Sequence, residues 1–370
     1  MAFNCAARIT IQDIKQNSSA QTNKQANIQK KSEKNQSHYC KLLTTYTIQP
    51  NQTMKLTDYY IDKQLIYTSP ISEIYKAIDK TTKSLVCLKI MDEDFQPPPH
   101  SIIREISILK KFQSQSSKEH IIEYLNDLKI FDDIILVTKL YEYNMNNLIK
   151  IPKYCKRMSR FQNDGNVSYK LINKIQDQDI KVWLKCMSQA LRFLHDNGII
   201  HRDIKPSNIM FINQDITNPI LGDFGICYDI NNPPLDEKIE KHNDISSGIY
   251  KAPEVILDNG YDFRVDIWSL GIILTILYST DFKSVLEDKE DEEDGGSTDI
   301  GDLALLNRII VNFGSEDLES KMLELPNYKR KPLNELLPRC QDEQIKELFN
   351  RMIEYDTKKR ITANELYIQL

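Results

Sequence analysis

Residues 199–227, IIHRDIKPSNIMFINQDITNPILGDFGIC, constrain the fold of this chain more than any other stretch. Two apolar runs, Ile199–Ile200 and 209–212, bracket a dense polar cluster that holds Asp203, Lys205 and Asn208, and Pro206 fixes the turn between them. A second acid, Asp223, follows the apolar pair Ile220 and Leu221 and precedes Phe224 and Gly225. Polar groups between runs that must be buried are tolerable only on loops where they satisfy one another or a ligand. Two carboxylates and an amide held this way suit a hard cation and a hydroxyl nucleophile. Singly, Asp203 could cap a turn and Asn208 could hold an Asx turn. The ordered set, His-Arg-Asp-x-Lys-x-x-Asn, then Asp-Phe-Gly, then Ala252-Pro253-Glu254, is a different matter and points to chemistry.

The rest of the chain agrees with a large folded enzyme. It has 370 residues and 41% hydrophobic content, enough for an extensive core. Its net charge of −5 argues against a protein that coats nucleic acid or an anionic membrane. Seven scattered cysteines, without a CxxC or Cys/His cluster, disfavour a disulfide framework and a structural zinc site. The longest apolar run, 270–278, is about half of what a bilayer span needs, and no secretory signal is visible. These features lead us to expect a soluble intracellular protein.

Charge divides the chain. Residues 1–53 carry seven basic and two acidic groups, net +5, which leaves −10 for the remainder. With fourteen Asn and Gln and only isolated apolar residues, the segment 1–55 reads as a disordered polar tail. Strand-like runs follow at 59–67, 73–79, 84–91 and 133–140, with one helical pattern at 101–112 between them. After about Asn144 the periodicity is mainly helical, and Trp183, Leu184, Met187, Leu191 and Leu194 recur until Gly198. The expectation is an α+β chain in two lobes joined by a connector at about 139–146. The segment 287–299 holds eight acids against one lysine and reads as a solvated loop or a surface for a basic partner.

In these motifs the sequence resembles the eukaryotic protein kinases over roughly 56–370. The resemblance implies the bilobal kinase fold, with a small β-rich N-lobe at about 56–138 and a larger helical C-lobe at about 147–370. HRDIKPSN looks like the catalytic loop. Asp203 would accept the substrate hydroxyl's proton and Lys205 would neutralise charge on the transferred phosphate, the pattern of Ser/Thr kinases. Asn208 and Asp223 would hold Mg²⁺ between the phosphates of ATP. Asp266 and the Glu254–Arg360 pair would be structural braces.

Upstream, Lys89 lies within the apolar run LVCLKIM, where an unpaired ammonium is costly. Glu105 shares a helix face with Ile102, Ile108 and Leu109. An ion pair explains both misplaced charges, and the kinase template implies that this pair grips the α/β-phosphates. Thr138 would be the gatekeeper, with the backbone of Lys139 and Tyr141 meeting the adenine. The phosphate-covering loop departs from the template: IYTSPISEIYKA puts Tyr67, Ser69 and Ser72 where three glycines belong. Each N–H–phosphate bond lost there would cost on the order of 1.5–3 kcal/mol. Ile66 and Ile74, which flank this loop, are assigned to ATP binding with it.

The missing glycines, together with DFGICYDINN, DISSGIYKAPEV and the acidic insert, resemble the monomeric cyclin-dependent-kinase-activating kinases of budding yeasts. That resemblance implies cyclin-dependent kinases as protein substrates, no cyclin subunit of its own, a monomer without nucleic-acid or membrane partners, and a place in cytoplasm and nucleus. Two alternatives stay open: a pseudokinase scaffold with the same fold, and a mitogen-activated-type kinase. The latter usually carries a T-x-Y pair, and residues 223–254 contain no Thr. Ser247 stands where a hydroxyl touches the catalytic Asp and Lys. Arg202, held by a phosphate in many kinases, would find a permanent partner among Asp236, Glu237, Glu240 and Asp244.

Overall fold

The computed structural model describes residues 55–116, 119–161, 167–238, 240–287, 301–316, 318 and 326–370. The tail expected at 1–55, except Lys55, and the acidic insert at 287–299, except Glu287, lie outside the described residues.

A five-stranded antiparallel sheet opens the fold, in the order β1-β2-β3-β5-β4. Its strands are β1 Tyr60–Thr68, β2 Glu73–Asp79, β3 Leu85–Asp92, β4 Tyr124–Ile130 and β5 Asp133–Lys139. Helix α1, Ile102–Phe112, crosses between β3 and β4, and Ser101 caps it by accepting the Arg104 N–H. Side chains of β3 alternate across the sheet. Val86, Leu88 and Ile90 join a small core with Tyr60, Ala77, Leu128, Ile135 and Val137. Lys89 therefore points to the opposite face, toward α1. Strand β4 was not anticipated, because its YLNDLKI places Asp127 inside and breaks the alternation. Asp127 is satisfied there by the Tyr124 hydroxyl and the Lys110 ammonium.

The connector between the lobes is shorter than 139–146. Strand β5 ends at Lys139, and β6 (Tyr143–Asn144) already pairs with β10 (Ile209–Phe211) of the second lobe. The second lobe is built on α2 (Asp177–Asp196) and α4 (Arg264–Leu277), with the one-turn helix α3 (Pro253–Ile256) between them. Every residue of α4 from Val265 to Leu277 is buried, so the apolar run seen in the sequence is a central core helix. Helices α5 (Asp302–Phe313), α6 (Leu333–Leu336), α7 (Glu343–Met352) and α8 (Ala363–Gln369) complete the lobe. Helix α2 stops where expected: Gly198 has φ +79°, and a Cβ there would meet Asn231 at 2.2 Å.

One expectation needs correcting. The stretch after Asn144 is not simply helical, because β7 (Cys155–Phe161) and β8 (Val167–Asn173) form an antiparallel hairpin. Lys156, Arg157, Met158 and Ser159 are consecutive and all exposed, so no buried face imposes a period of two on the sequence. Among the described residues no helix is long and apolar enough to cross a membrane.

Candidate active site

Two short β-pairs hold the polar cluster. Strand β9 (Ile199–Ile200) pairs with β12 (Tyr228–Asp229), and β10 pairs with β11 (Pro219–Leu221). The loop 201–208 and the loop 222–227 are thereby clamped at both ends and face each other. This is why the apolar runs had to bracket the polar residues: they are the strands that fix the loops.

Asp203 lies at the centre of the first loop. Its Oδ2 accepts from Lys205 Nζ at 2.8 Å and from Asn208 Nδ2 at 2.9 Å. Ser247 Oγ sits 3.4 Å from Asp203 Oδ1 and accepts from Lys205 Nζ at 3.1 Å. The structure thus joins the activation segment to Asp203 and Lys205 through the hydroxyl named from sequence. Buried Asp266 on α4 braces the loop from beneath, accepting the His201 N–H at 2.9 Å and the Arg202 N–H at 2.8 Å. His195 Nε2 reaches the same carboxylate at 2.9 Å. Burial alone would raise the Asp266 pKa, but these contacts hold it below the usual carboxylate value.

Lys89 meets the expected Glu105 and also Asp223, which the sequence assigns only to the cation. Its ammonium donates to Glu105 Oε2 and to Asp223 Oδ1, each at 2.8 Å. Burial pushes the lysine down, but the two carboxylates outweigh it and hold it charged. Asp223 is drawn well below its ordinary value, chiefly by Lys89 against the opposing effect of burial. Burial pushes Glu105 up, with Lys89 opposing. The other oxygen of Glu105 accepts the Phe224 N–H at 3.1 Å, so one helix carboxylate fixes both Lys89 and the Asp-Phe-Gly turn. Phe224 is buried edge-on against His201, with ring centroids 5.1 Å apart. His201 joins the two loops: its Nε2 lies 3.1 Å from the Gly222 carbonyl and its Nδ1 accepts the Asp203 N–H at 3.3 Å. Burial lowers its pKa and favours the neutral ring.

The donor set fits a hard cation. Asn208 uses its Nδ2 on Asp203, its Oδ1 accepts a long bond from Ser207 Oγ at 3.4 Å and still has a lone pair to offer a cation, and the Asp223 side chain remains 43% accessible from the cleft. An amide oxygen and a carboxylate at neighbouring loop ends are the ligands Mg²⁺ prefers. Arg202 and Asp223 both have positive φ, 69° and 61°, a strained conformation that the paired strands impose.

The residues expected to meet a nucleotide lie on the sheet and on the connector after it. Thr138 is buried opposite Cys87 of β3, and burial pushes the Cys87 thiol up to about 11. The Lys139 N–H donates to the Glu123 carbonyl at 3.1 Å, so only its carbonyl could meet an adenine. Tyr141 is half-buried, and Ile74 pairs across to Lys89. Ile66 sits at the register shift between Leu65 and Tyr67 as the extra residue of a bulge, 55% exposed. The loop between β1 and β2 is closed on itself. The Ser69 N–H donates to the Ser72 carbonyl at 2.8 Å. Ser69 Oγ accepts the Ile71 and Ser72 N–H groups at 3.3 and 3.0 Å, and residue 70 is a proline without an N–H. Every amide of Ser69 to Ser72 is therefore used within the loop or absent.

The activation segment is also closed on itself. Of the four acids that could face Arg202, the fold selects Glu237. Both side chains are fully buried in a two-pronged pair, with Nη2 to Oε1 at 2.9 Å. Tyr261 Oη joins Arg202 Nη1 at 3.0 Å. Arg104, next to Glu105 on α1, lies 3.6 Å from Glu237 and donates to the Cys227 and Pro99 carbonyls. Sequence reasoning missed Arg104, although a second cation beside Glu105 on that helix was visible. Ser246 Oγ donates to the Arg202 carbonyl at 2.7 Å, and Glu254 pairs with Arg360 at 2.6 and 2.9 Å.

The comparisons agree with this geometry. The family model described as protein kinase domain matches residues 60–369. Serine/threonine-protein kinase CAK1 of Saccharomyces cerevisiae is 34% identical over 241 residues, 57% of this chain and 61% of that kinase. Mitogen-activated protein kinase p38a of Drosophila melanogaster is 26% identical over 341 residues, covering 86% of this chain and 81% of its own. Mitogen-activated protein kinase HOG1 of Cryphonectria parasitica is 28% identical over 326 residues, with coverages of 85% and 78%. Less than two thirds of the first of these relatives is spanned. The fold, the clustered motifs and the match along 60–369 make the conclusion plain: the chain belongs to the protein kinase domain family.

Proposed function

We propose that this kinase phosphorylates the activation-loop threonine of cyclin-dependent kinases, using ATP and Mg²⁺. Asp203 takes the proton of the attacking hydroxyl, and Lys205 offsets charge developing on the transferred phosphate. Lys89, aimed by Glu105, holds the α/β-phosphates. Asn208 and Asp223 hold Mg²⁺, which when bound neutralises the phosphate oxygens. The observation that carries the phosphotransfer reading is the convergence of five polar groups, Lys89, Glu105, Asp203, Asn208 and Asp223, on one cleft. A scaffold has no physical need to bring all five together with Glu105, Asp203 and Asn208 buried.

The choice of substrate rests on the likeness to CAK1 and on the loops shared with cyclin-dependent-kinase-activating kinases. In this reading the enzyme works as a monomer without a cyclin, in cytoplasm and nucleus, with neither nucleic acid nor membrane as a partner. The mitogen-activated kinases, similar over a longer stretch, support a second reading. Against it stands the activation segment, which has no Thr and whose Arg202 is already satisfied by Glu237. The deciding experiment incubates the purified protein with labelled ATP, Mg²⁺ and a monomeric cyclin-dependent kinase. Label on the wild-type substrate but not on its loop Thr→Ala variant is expected. Equal label on both would overturn the assignment, and no label on any protein substrate would favour a scaffold.

A further inference from the structure

The hairpin β7–β8 is positive on a domain that is otherwise negative. Residues 155–173 carry four Lys and Arg against one acid and are flanked by Lys150, Lys153 and Lys174, whereas residues 54–370 as a whole carry −10. The register pairs Lys156 with Ile172 and Met158 with Lys170, so these four share one face. Lys156, Arg157 and Lys170 are exposed, and none lies within ion-pair distance of a carboxylate among the described residues. Met158 on this face is 47% exposed, and Tyr169, on the opposite face with Arg157, is 65% exposed, so the two-stranded ribbon is open on both sides. Lysines can protect an open sheet edge from aggregation. That role does not account for a methionine and a tyrosine left open beside them.

The base of the hairpin is anchored to the elements that carry the chemistry, at the ends far from the reacting residues. Asn173 Nδ2 donates to the Leu277 and Ser279 carbonyls at 2.9 and 3.0 Å, at the end of α4. Tyr154 Oη accepts the Ile216 N–H at 3.1 Å, in the turn that joins β10 to β11. Those two strands carry the ends of the catalytic loops. A segment held on the hairpin is therefore tethered to the element that positions Asn208 and Asp223, and tethering raises local substrate concentration without any change at the reacting atoms.

We propose that the β7–β8 hairpin is a docking surface for an acidic segment, with interspersed apolar residues, of a protein substrate. The inference rests on the phosphotransfer reading above. Charge complementarity selects an anionic occupant, and the exposed Met158 and Tyr169 select one with apolar side chains. A short peptide meets only the cationic patch, whereas a long polyanion such as nucleic acid would also meet the negative remainder of the domain.

The test compares the full chain with its Lys156→Glu, Arg157→Glu, Lys170→Glu variant, whose altered side chains are all exposed. Single exposed ion pairs contribute little, so the three are reversed together. The probe is a fluorescein-labelled peptide of glutamates and leucines, measured by anisotropy without turnover. Wild type should bind it, and the variant should bind at least about tenfold more weakly. In kinetics, appending the same segment to a threonine peptide should lower KM for wild type alone, while kcat and the rate on the bare peptide stay equal in the two proteins. Unchanged binding by the variant would overturn the proposal, as would tighter binding of a single-stranded oligonucleotide of equal charge. Binding that emerges only when 288–300 is replaced by a neutral linker would assign the hairpin to the chain's own acidic segment, and also overturns it. Loss of turnover with binding intact would count against the kinase reading and leave the docking surface standing.

Discussion

Two regions of this kinase face phosphate in the family, and in both the chain satisfies itself instead, with opposite consequences. In the loop at 66–72, the Ser69 hydroxyl and the Ser72 carbonyl occupy the backbone amides that a glycine loop would turn toward ATP. In the activation segment, Glu237 occupies the arginine that a phosphorylated residue would otherwise hold. The first substitution removes donors from a ligand and leaves its grip to Lys89 and the cation site. The second supplies, from within, what other kinases must receive by modification. The expectation is that self-sufficiency weakens the contact with a substrate and makes the contact with a regulator unnecessary.

The largest test of this comparison removes the chemistry both regions serve. Asp203→Asn and Lys89→Arg should each lower phosphotransfer by several orders of magnitude while the thermal midpoint holds. Turnover near the wild-type rate in either variant would falsify the assignment of the site.

The next attacks the activation segment. Glu237→Gln leaves the buried Arg202 guanidinium without a counter-charge, and breaking a buried pair in this way costs about 3–5 kcal/mol. Scanning calorimetry should show a lower midpoint, and activity should fall by more than about tenfold. Phosphatase treatment of the wild type, with residues 223–254 shown bare by mass spectrometry, should leave activity intact. Ser247→Ala should reduce it and Ser246→Ala should not. Activity lost with phosphate and restored by phosphorylating Ser246 would break the comparison.

The glycine-less loop should respond far less. Ala at Ser69 and Ser72 together should change the KM for ATP by less than about tenfold, or ~1.4 kcal/mol, because these hydroxyls bind their own loop. A larger loss in steady-state kinetics would show the serines contacting phosphate after all.

The smallest effect concerns acid. His201 is neutral in the fold, with its pKa lowered, and His100 and His120 are shifted the same way. The unfolded chain takes up these protons first as pH falls through about 6.5, so folding stability is full above that value and declines below it. The thermal midpoint should be lower at pH 5.5 than at 7.5, and His201→Gln should flatten part of that slope.

The catalytic loops were legible in the sequence because their chemistry is packed into 29 residues, 199–227, and bounded by strands that must be apolar. The Lys89–Glu105 pair was legible because each charge stood on an otherwise apolar face. The hairpin was not, since both its faces are solvated and no alternation is enforced. Strand β4 was hidden by the buried Asp127, whose partners come from α1 and from its own strand. Nor could sequence choose Glu237 among four nearby acids. That choice depends on the Arg104 and Arg202 side chains arriving from two distant parts of the chain.

The buried Glu237 also sets a timescale. A phosphate arrives after synthesis and can be hydrolysed away within seconds by another enzyme; a carboxylate is installed by the ribosome and leaves only with the polypeptide. Should phosphatase-treated protein keep its activity, the moment of translation is the moment of activation. Its output then follows how much of the chain the cell makes, how long that chain survives, and which substrates come within reach.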